Sequence, residues 1–417
     1  MPFPKKLIPF ASVLTVVVVV LIFKPLFLNI GIGSGWAPTK FGKELGAGPG
    51  RWHDDIRLYG TKWRTMQEPQ KAISFHAGVV KPFPATYSKM LVIASTKAED
   101  VNWVRENFEL GSGVQSTIYT ADDLTAEFHP PRNKGHEVMI YLSYIIEHYN
   151  NLSDVSIFMH SHQLAWHNNE LLDLDAAQMI SRLSSERVIR EGYMNLRCHW
   201  HPGCPDWMHP GIVEEDDNKQ EQTIMARAWV ELFPLEPVPN VLAQPCCAQF
   251  AVSKERIRTL PLARYIFYRN WLLKTELSDF ISGRVWEYLW QFVFSGQTVL
   301  CPKEHVCYCD GYGICFGGEM EYQAYSDNQT EKDYLNTQIE EWNTRNEKMQ
   351  NLIDEGREEE MENMEKPDAA IKEKLEREVN EIQRWLDITK EEAMQRGDVA
   401  PNRAKEAGRG WKNGDGF

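Results

Sequence analysis

The order of short apolar runs and amphipathic stretches between Lys89 and Phe158 constrains the chain most. MLVIAST (90–96) is a buried-strand pattern, and KAEDVNWVRENF after it places Val101, Val104 and Phe108 at helical spacing. STIYTADD (116–123) reads as a second strand ending in two carboxylates, and Asp154–Phe158 as a third. Between them Val138, Tyr141, Leu142, Ile145 and Tyr149 fall on one helical stripe opened by Asn133-Lys-Gly-His-Glu137. Strand, helix, strand, helix, strand predicts an α/β fold with an open, mostly parallel sheet flanked by helices. Ligands in such sheets sit beyond the carboxyl ends of the strands, where Asp122, Asp123 and His160 would lie.

Further elements are expected at GYMNLRC (192–198, strand), at QFAVSKERI (249–257, a strand turning into a helix with Ser253 as N-cap) and at SGRVWEYLWQFVF (282–294, helix). PDWMHPGIVEEDDNKQEQ (205–222) is a polar excursion.

Four regions follow from the hydropathy and charge pattern. Residues 1–28 contain LIPFASVLTVVVVVLIF (7–23) between lysines and predict a single-pass membrane anchor, with the side on which the body lies left open. Residues 29–85, rich in Gly and Pro, read as a stem; 86–318 as the catalytic α/β domain; 319–417 as an acidic helical tail. The tail carries 15 Lys and Arg against 26 Asp and Glu, so the net charge of −14 belongs mostly to it and not to the near-neutral body. Such a tail is expected as solvated helices without a sustained heptad. With 43% apolar residues, 14 Trp and 18 Phe, the body has ample material for a core.

All eight cysteines lie between Cys198 and Cys315. CPKEHVCYCDGYGIC lacks the Cys-x2-Cys knuckles of structural zinc sites, so disulfides are expected there, and equally for Cys198 and Cys204 in the Cys/His cluster around His199, His201 and His209. Asn151 and Asn328 begin acceptor sequons.

Two segments carry candidate chemistry. FMHSHQLAWHNNE (158–170) places His160, His162 and His167 after a strand; they are either a metal-like trio or hydrogen-bonded loop residues flanking a buried Trp166. Asp122, Asp123, Asn133, Lys134 and Glu137 lead from a strand end into a helix, where a carboxylate serves as base, as clamp for a guanidinium, or only as partner of the helix dipole. Arg284 and Glu287, one turn apart, form either an internal ion pair or a second acid in the cleft. There is no phosphate-binding Gly-rich loop, no Gly-x-Ser-x-Gly elbow and no Asp-x-Asp after an apolar strand.

KMLVIAST, HPPRNKGHEVMIYLSYIIEHY, DVSIFMHSHQLAWHN, GYMNLRC, PCCAQFAVSKERI and SGRVWEYLW resemble, over residues 85–318, a fungal family defined as a domain of unknown function that includes the arginine-containing cyclodipeptide synthases. The resemblance implies an aminoacyltransferase of secondary metabolism that closes arginine and a second amino acid, delivered by arginyl-tRNA and one other aminoacyl-tRNA, into a cyclo(Arg-Xaa) diketopiperazine. It implies Glu137, Asp123, His162 and Glu287 as catalytic groups and Asp122, Asn133, His160, His167, Asn168 and Arg284 as substrate-binding ones, with neither metal nor cofactor. Strand order and the QFAVSKERI and GRVWEYLW segments are also similar to glycosyltransferases of fold type A, with His160-Ser-His162 where those carry Asp-x-Asp. The alternative function is therefore a membrane-anchored, glycosyltransferase-like enzyme of the secretory pathway; a third, non-catalytic reading has the acidic tail recruit partners.

Overall fold

A computed structural model describes residues 74–108, 111–357 and 366–417. The expected membrane anchor at 7–23 and the stem up to residue 73 lie outside the described residues; among the described residues no helix is long and apolar enough to cross a membrane. The described residues belong to one compact unit, so body and tail fold together.

Along the body run β1 (Lys89–Ser95), α1 (Asn102–Asn107), β2 (Val114–Thr120), α2 (Glu137–His148) and β3 (Val155–His160), as the apolar periodicity predicts. Then come α3 (Ala176–Arg182), α4 (Ser185–Glu191), β4 (Tyr193–Asn195), α5 (Gln222–Leu232), β5 (Phe250–Ser253) and α6 (Lys254–Thr259). The Ser253 hydroxyl caps α6 by accepting from the Arg256 amide. The remaining elements are α7 (Leu262–Lys274), α8 (Asp279–Glu287), α9 (Trp290–Ser295), α10 (Glu304–Tyr312), and in the tail α11 (Glu319–Asp354), α12 (Ala369–Gly397) and α13 (Ala400–Glu406).

The sheet order is β2-β1-β3-β5-β4. β1 pairs in parallel with β2 and β3, whereas β5 pairs antiparallel with both β3 and β4. Four strands therefore run the same way, as the strand-helix alternation predicts, and the sheet is mixed because β5 alone is reversed. The reason lies in residues 196–249. This excursion leaves and rejoins the sheet at one edge, with the Leu196 amide bonded to the Gln249 carbonyl, so no crossover returns the chain before β5 and that strand runs back.

Alternation along the strands sorts the two faces. Leu91, Ile93, Ile157, Met159 and Ala251 face a hydrophobic layer with Val188, Tyr308 and Tyr312. Phe158 and Phe250 face the other way, into an aromatic stack with Tyr141 and Trp290 at centroid separations of 4.9–5.7 Å. Trp229, Trp286 and Trp290 are fully buried.

The tail is docked as well as solvated. α11 and α12 pair side by side, antiparallel, since Lys332 reaches Gln383 and Trp342 reaches the Asp368 carbonyl. The far end of α12 then seats on the body: the Cys315 amide donates to the Ala393 carbonyl at 2.8 Å, and Arg396 returns two bonds to the Cys315 and Phe316 carbonyls. Buried Asp310 accepts from Arg187, Arg190 and the tail's Arg409. Charge counting alone misses this docking because it rests on a few apolar and arginine contacts at the helix ends.

Candidate active site

A cleft of about 410 Å³ opens at the carboxyl ends of β1 and β3, against the start of α2. Glu137 stands in the first turn of α2. Its carboxyl is partly accessible through the cleft and otherwise enclosed by protein. Loss of water pushes it up to about 8, the nearby Glu287 and Asp279 charges add to the rise, and its own backbone amide opposes it. The dipole at a helix start would favour the charged carboxylate, so here burial wins. One turn on, the Tyr141 hydroxyl is buried without a hydrogen-bond partner, and burial followed by the Glu137 charge raises its pKa.

The turn before α2 is held from α8. Asp279 accepts from the amides of Gly135 and His136. Gly135 has φ +74°, and a Cβ there would lie 2.7 Å from Leu272 Cδ1, so glycine is required twice over. His136, not a glycine, also adopts a positive φ, 51°, on the cleft wall.

Opposite Glu137, the β3 loop supplies imidazoles. His160 Nδ1 and His167 Nε2 are 3.2 Å apart, and burial lowers His160 to about 3 and His167 to about 4, with neighbouring cationic groups adding to the effect. Both are neutral at physiological pH. His160 Nε2 is buried without a partner. His162 is exposed and turns to Glu99, 3.9 Å away. The three imidazoles therefore do not converge as the trio first suggests. Trp166 is 63% exposed and not buried as expected, with the Arg197 guanidinium 5.3 Å from its ring.

Of the expected residues, Glu137, Asn133, His160, His162 and His167 line the cleft. Glu287 does not line it; it lies close enough to act on Glu137, is itself raised by burial, and accepts the Cys247 amide at 2.8 Å. Arg284, expected beside it, reaches instead to fully buried Glu221 at 2.7 Å, because the 205–222 excursion folds over α8. Asp122 and Asp123, expected in the cleft, do not line it. Asp122 accepts the Lys97 amide, while hydrogen bonds from Thr125, and then Lys97, hold the half-buried Asp123 down at about 2, too low for a base at neutral pH. Asn168 is fully buried; it donates to the Gln163 and Leu174 carbonyls and accepts from Gln249, so it shapes the loop and does not face a ligand.

Glu99, Ser161, Asp279 and Gln249 complete the site without having been expected. Glu99 accepts from Ser161 Oγ at 2.6 Å and from the amide and hydroxyl of Thr96; desolvation pushes its carboxyl up, but these hydrogen bonds outweigh it and hold the pKa below the ordinary value. Thr96-x-x-Glu99 directly after a strand has the spacing of a capping box, and here reciprocal bonds between the two residues close a turn ahead of α1. Gln249 had no local signal. It accepts the His160 amide and donates to Asn168, which only the β3–β5 pairing makes possible.

All eight cysteines pair: Cys198–Cys307, Cys204–Cys301, Cys309–Cys315 and the adjacent Cys246–Cys247. Disulfides thus account for the Cys/His cluster, in which His199 faces Glu170 and His209 faces Asp206.

No curated protein and no solved structure matches the chain. The family model described as a protein of unknown function (DUF3431) matches residues 91–310, more than half of its length. The chain belongs to the DUF3431 family.

Proposed function

We propose that the cleft is the active site of an aminoacyl-transferring enzyme with Glu137 as general base, and that the reaction is the one its resemblance to the arginine-containing cyclodipeptide synthases implies. One observation carries this: the Glu137 carboxyl sits at about 8 on the cleft wall. An α-ammonium has a pKa of about 8, so proton transfer from it to Glu137 is near thermoneutral, the condition under which a base works best. The freed amine attacks the ester carbonyl of the second aminoacyl-tRNA, an amide forms, and the ribose oxygen leaves with a proton. Repetition by the second amine on the remaining ester closes the ring without ATP. Neutral His160 and His167 supply an N–H and a lone pair for relaying that proton, and Glu99 and Asp279 provide carboxylates for a guanidinium.

A second reading is favoured by the four disulfides, which suit an oxidising compartment. There the protein is a transferase of the secretory pathway, anchored through residues 7–23 and related in fold to the type A glycosyltransferases, using Glu137 on an acceptor hydroxyl. The test is expression of the full chain in a heterologous host, with extracts searched by mass spectrometry for an arginine-containing diketopiperazine lost in Glu137→Gln. No such product from well-expressed protein, together with glycan attached at Asn151, would replace the first reading by the second.

A further inference from the structure

Behind Glu137 lies a second reactive cluster. Cys246 and Cys247 are joined to each other, and their sulfurs and a Glu287 carboxylate oxygen lie within 4.8 Å of one another. The backbone after the bond is strained. Cys247 has φ +87° and Ala248 φ +49°, two successive non-glycine residues in the left-handed region.

Everything before this point is clamped. The Cys246 amide donates to the Pro202 carbonyl, Asn195 holds the Pro245 carbonyl, and Gln244 is fixed between Tyr193 and the Glu287 carbonyl. Cys247 and Ala248, the two left-handed residues, follow directly on this held segment. These residues connect to both sides of the cleft. The Cys247 amide donates to Glu287 Oε1 at 2.8 Å, and Glu287 acts on Glu137. Two residues on, Gln249 holds the His160 amide. Cys247 is also half-buried, unlike its partner Cys246, so a small thiol can reach it.

We propose that Cys246–Cys247 is a redox modification site that sets the geometry of the cleft's acid/base groups. A dithiol reductant transfers two electrons and two protons; its own sulfurs join as a disulfide, and the Cys246–Cys247 bond opens to two thiols. Cys247 and Ala248 then leave the left-handed region, the Cys247 amide withdraws from Glu287, and Gln249 loosens its hold on the His160 loop. The switch acts on the cleft's own groups, so it holds whichever substrate class the cleft takes.

The full chain is treated with graded dithiol under native conditions, and reduction at each cysteine is read by alkylation and peptide mass, with hydrogen exchange measured in parallel. Cys246 and Cys247 are expected to be alkylated while the other three disulfides persist, and protection of the Cys247 amide and of the peptide around His160 to fall by at least about tenfold, reversing on reoxidation. The double variant Cys246→Ser, Cys247→Ser should show the reduced pattern without reductant, while its near-ultraviolet circular dichroism stays native. Reduction of the pair only together with the others, or reduction without change in exchange at either site, would overturn the proposal. Neither readout requires a substrate, so the result stands apart from that of the diketopiperazine search.

Discussion

His160 Nδ1 lies 3.2 Å from His167 Nε2, across the loop that leaves the end of β3. Burial keeps both rings neutral, so one nitrogen of the pair donates and the other accepts. The pair has one N–H and one lone pair to offer without holding a charge, and it lines the same cleft as Glu137, whose carboxyl burial pushes up to about 8.

Stability should respond to this pair in acid. Both rings are depressed below the ordinary histidine value, so the native state refuses protons that the unfolded chain takes up below about 6.5. The contribution is complete above that pH and is lost as pH falls toward 4 and then 3. The unfolding free energy from denaturant titrations should drop between pH 6.5 and 4 by an amount on the order of 3 kcal/mol for each ring, and His160→Gln should flatten the decline. An unchanged acid profile in that variant would show that the ring titrates in the native state as it does in the unfolded chain.

Glu137 has the opposite sign. Its carboxyl is raised, so between about 4.5 and 8 the folded protein holds a proton that the unfolded chain has released. Stability from this group is full at low pH and is lost as pH rises through 8. Glu137→Gln should match the wild type at pH 5 and exceed it at pH 9, by on the order of 2–4 kcal/mol. Activity should move the other way, with wild-type turnover climbing to a plateau above pH 8 and the variant inactive throughout. Equal stabilities at pH 9 would mean that the carboxylate is well solvated.

Gln249→Leu should loosen the loop without touching the cleft wall. The change leaves the His160 amide and the Asn168 carbonyl oxygen without their partner, at a cost of about 2–3 kcal/mol for buried polar groups. Hydrogen exchange should accelerate across residues 160–168 and stay unchanged in β1 and β2. Uniform acceleration over the sheet would indicate a core defect instead.

Asp310 fastens the tail. It is 2% exposed and faces three guanidiniums, whose combined pull outweighs desolvation and holds its carboxyl below the ordinary range. Asp310→Ala should cost about 3–5 kcal/mol, the usual consequence of leaving buried charges unpaired. Limited proteolysis should then cut first between α12 and the C-terminus. Wild-type protease resistance would show that the apolar seat around Ala393 suffices alone.

Periodicity in the sequence was enough to place β1, β2, β3 and α2 and to set Glu137 at the mouth of a cleft, because strand and helix leave repeats of two and 3.6 along the chain. The cap at Ser253 and the expectation of disulfides were legible because they depend on neighbours in sequence or on counting one residue type, whereas which cysteines pair was decided by the fold. Which carboxylates share the cleft was not. Asp123 is three residues beyond the end of β2 and yet faces Lys97 and Thr125, while Asp279 arrives from α8 to hold the turn at Gly135. The raised pKa of Glu137 likewise follows from burial among distant segments and from charges on Glu287 and Asp279, quantities that no spacing along the chain records. The reversal of β5, which carries Gln249 to His160, was decided by where a long excursion re-enters the sheet. Local pattern therefore determined the elements and the location of the cleft, and tertiary structure alone decided its chemistry, because desolvation and Coulomb forces act through space.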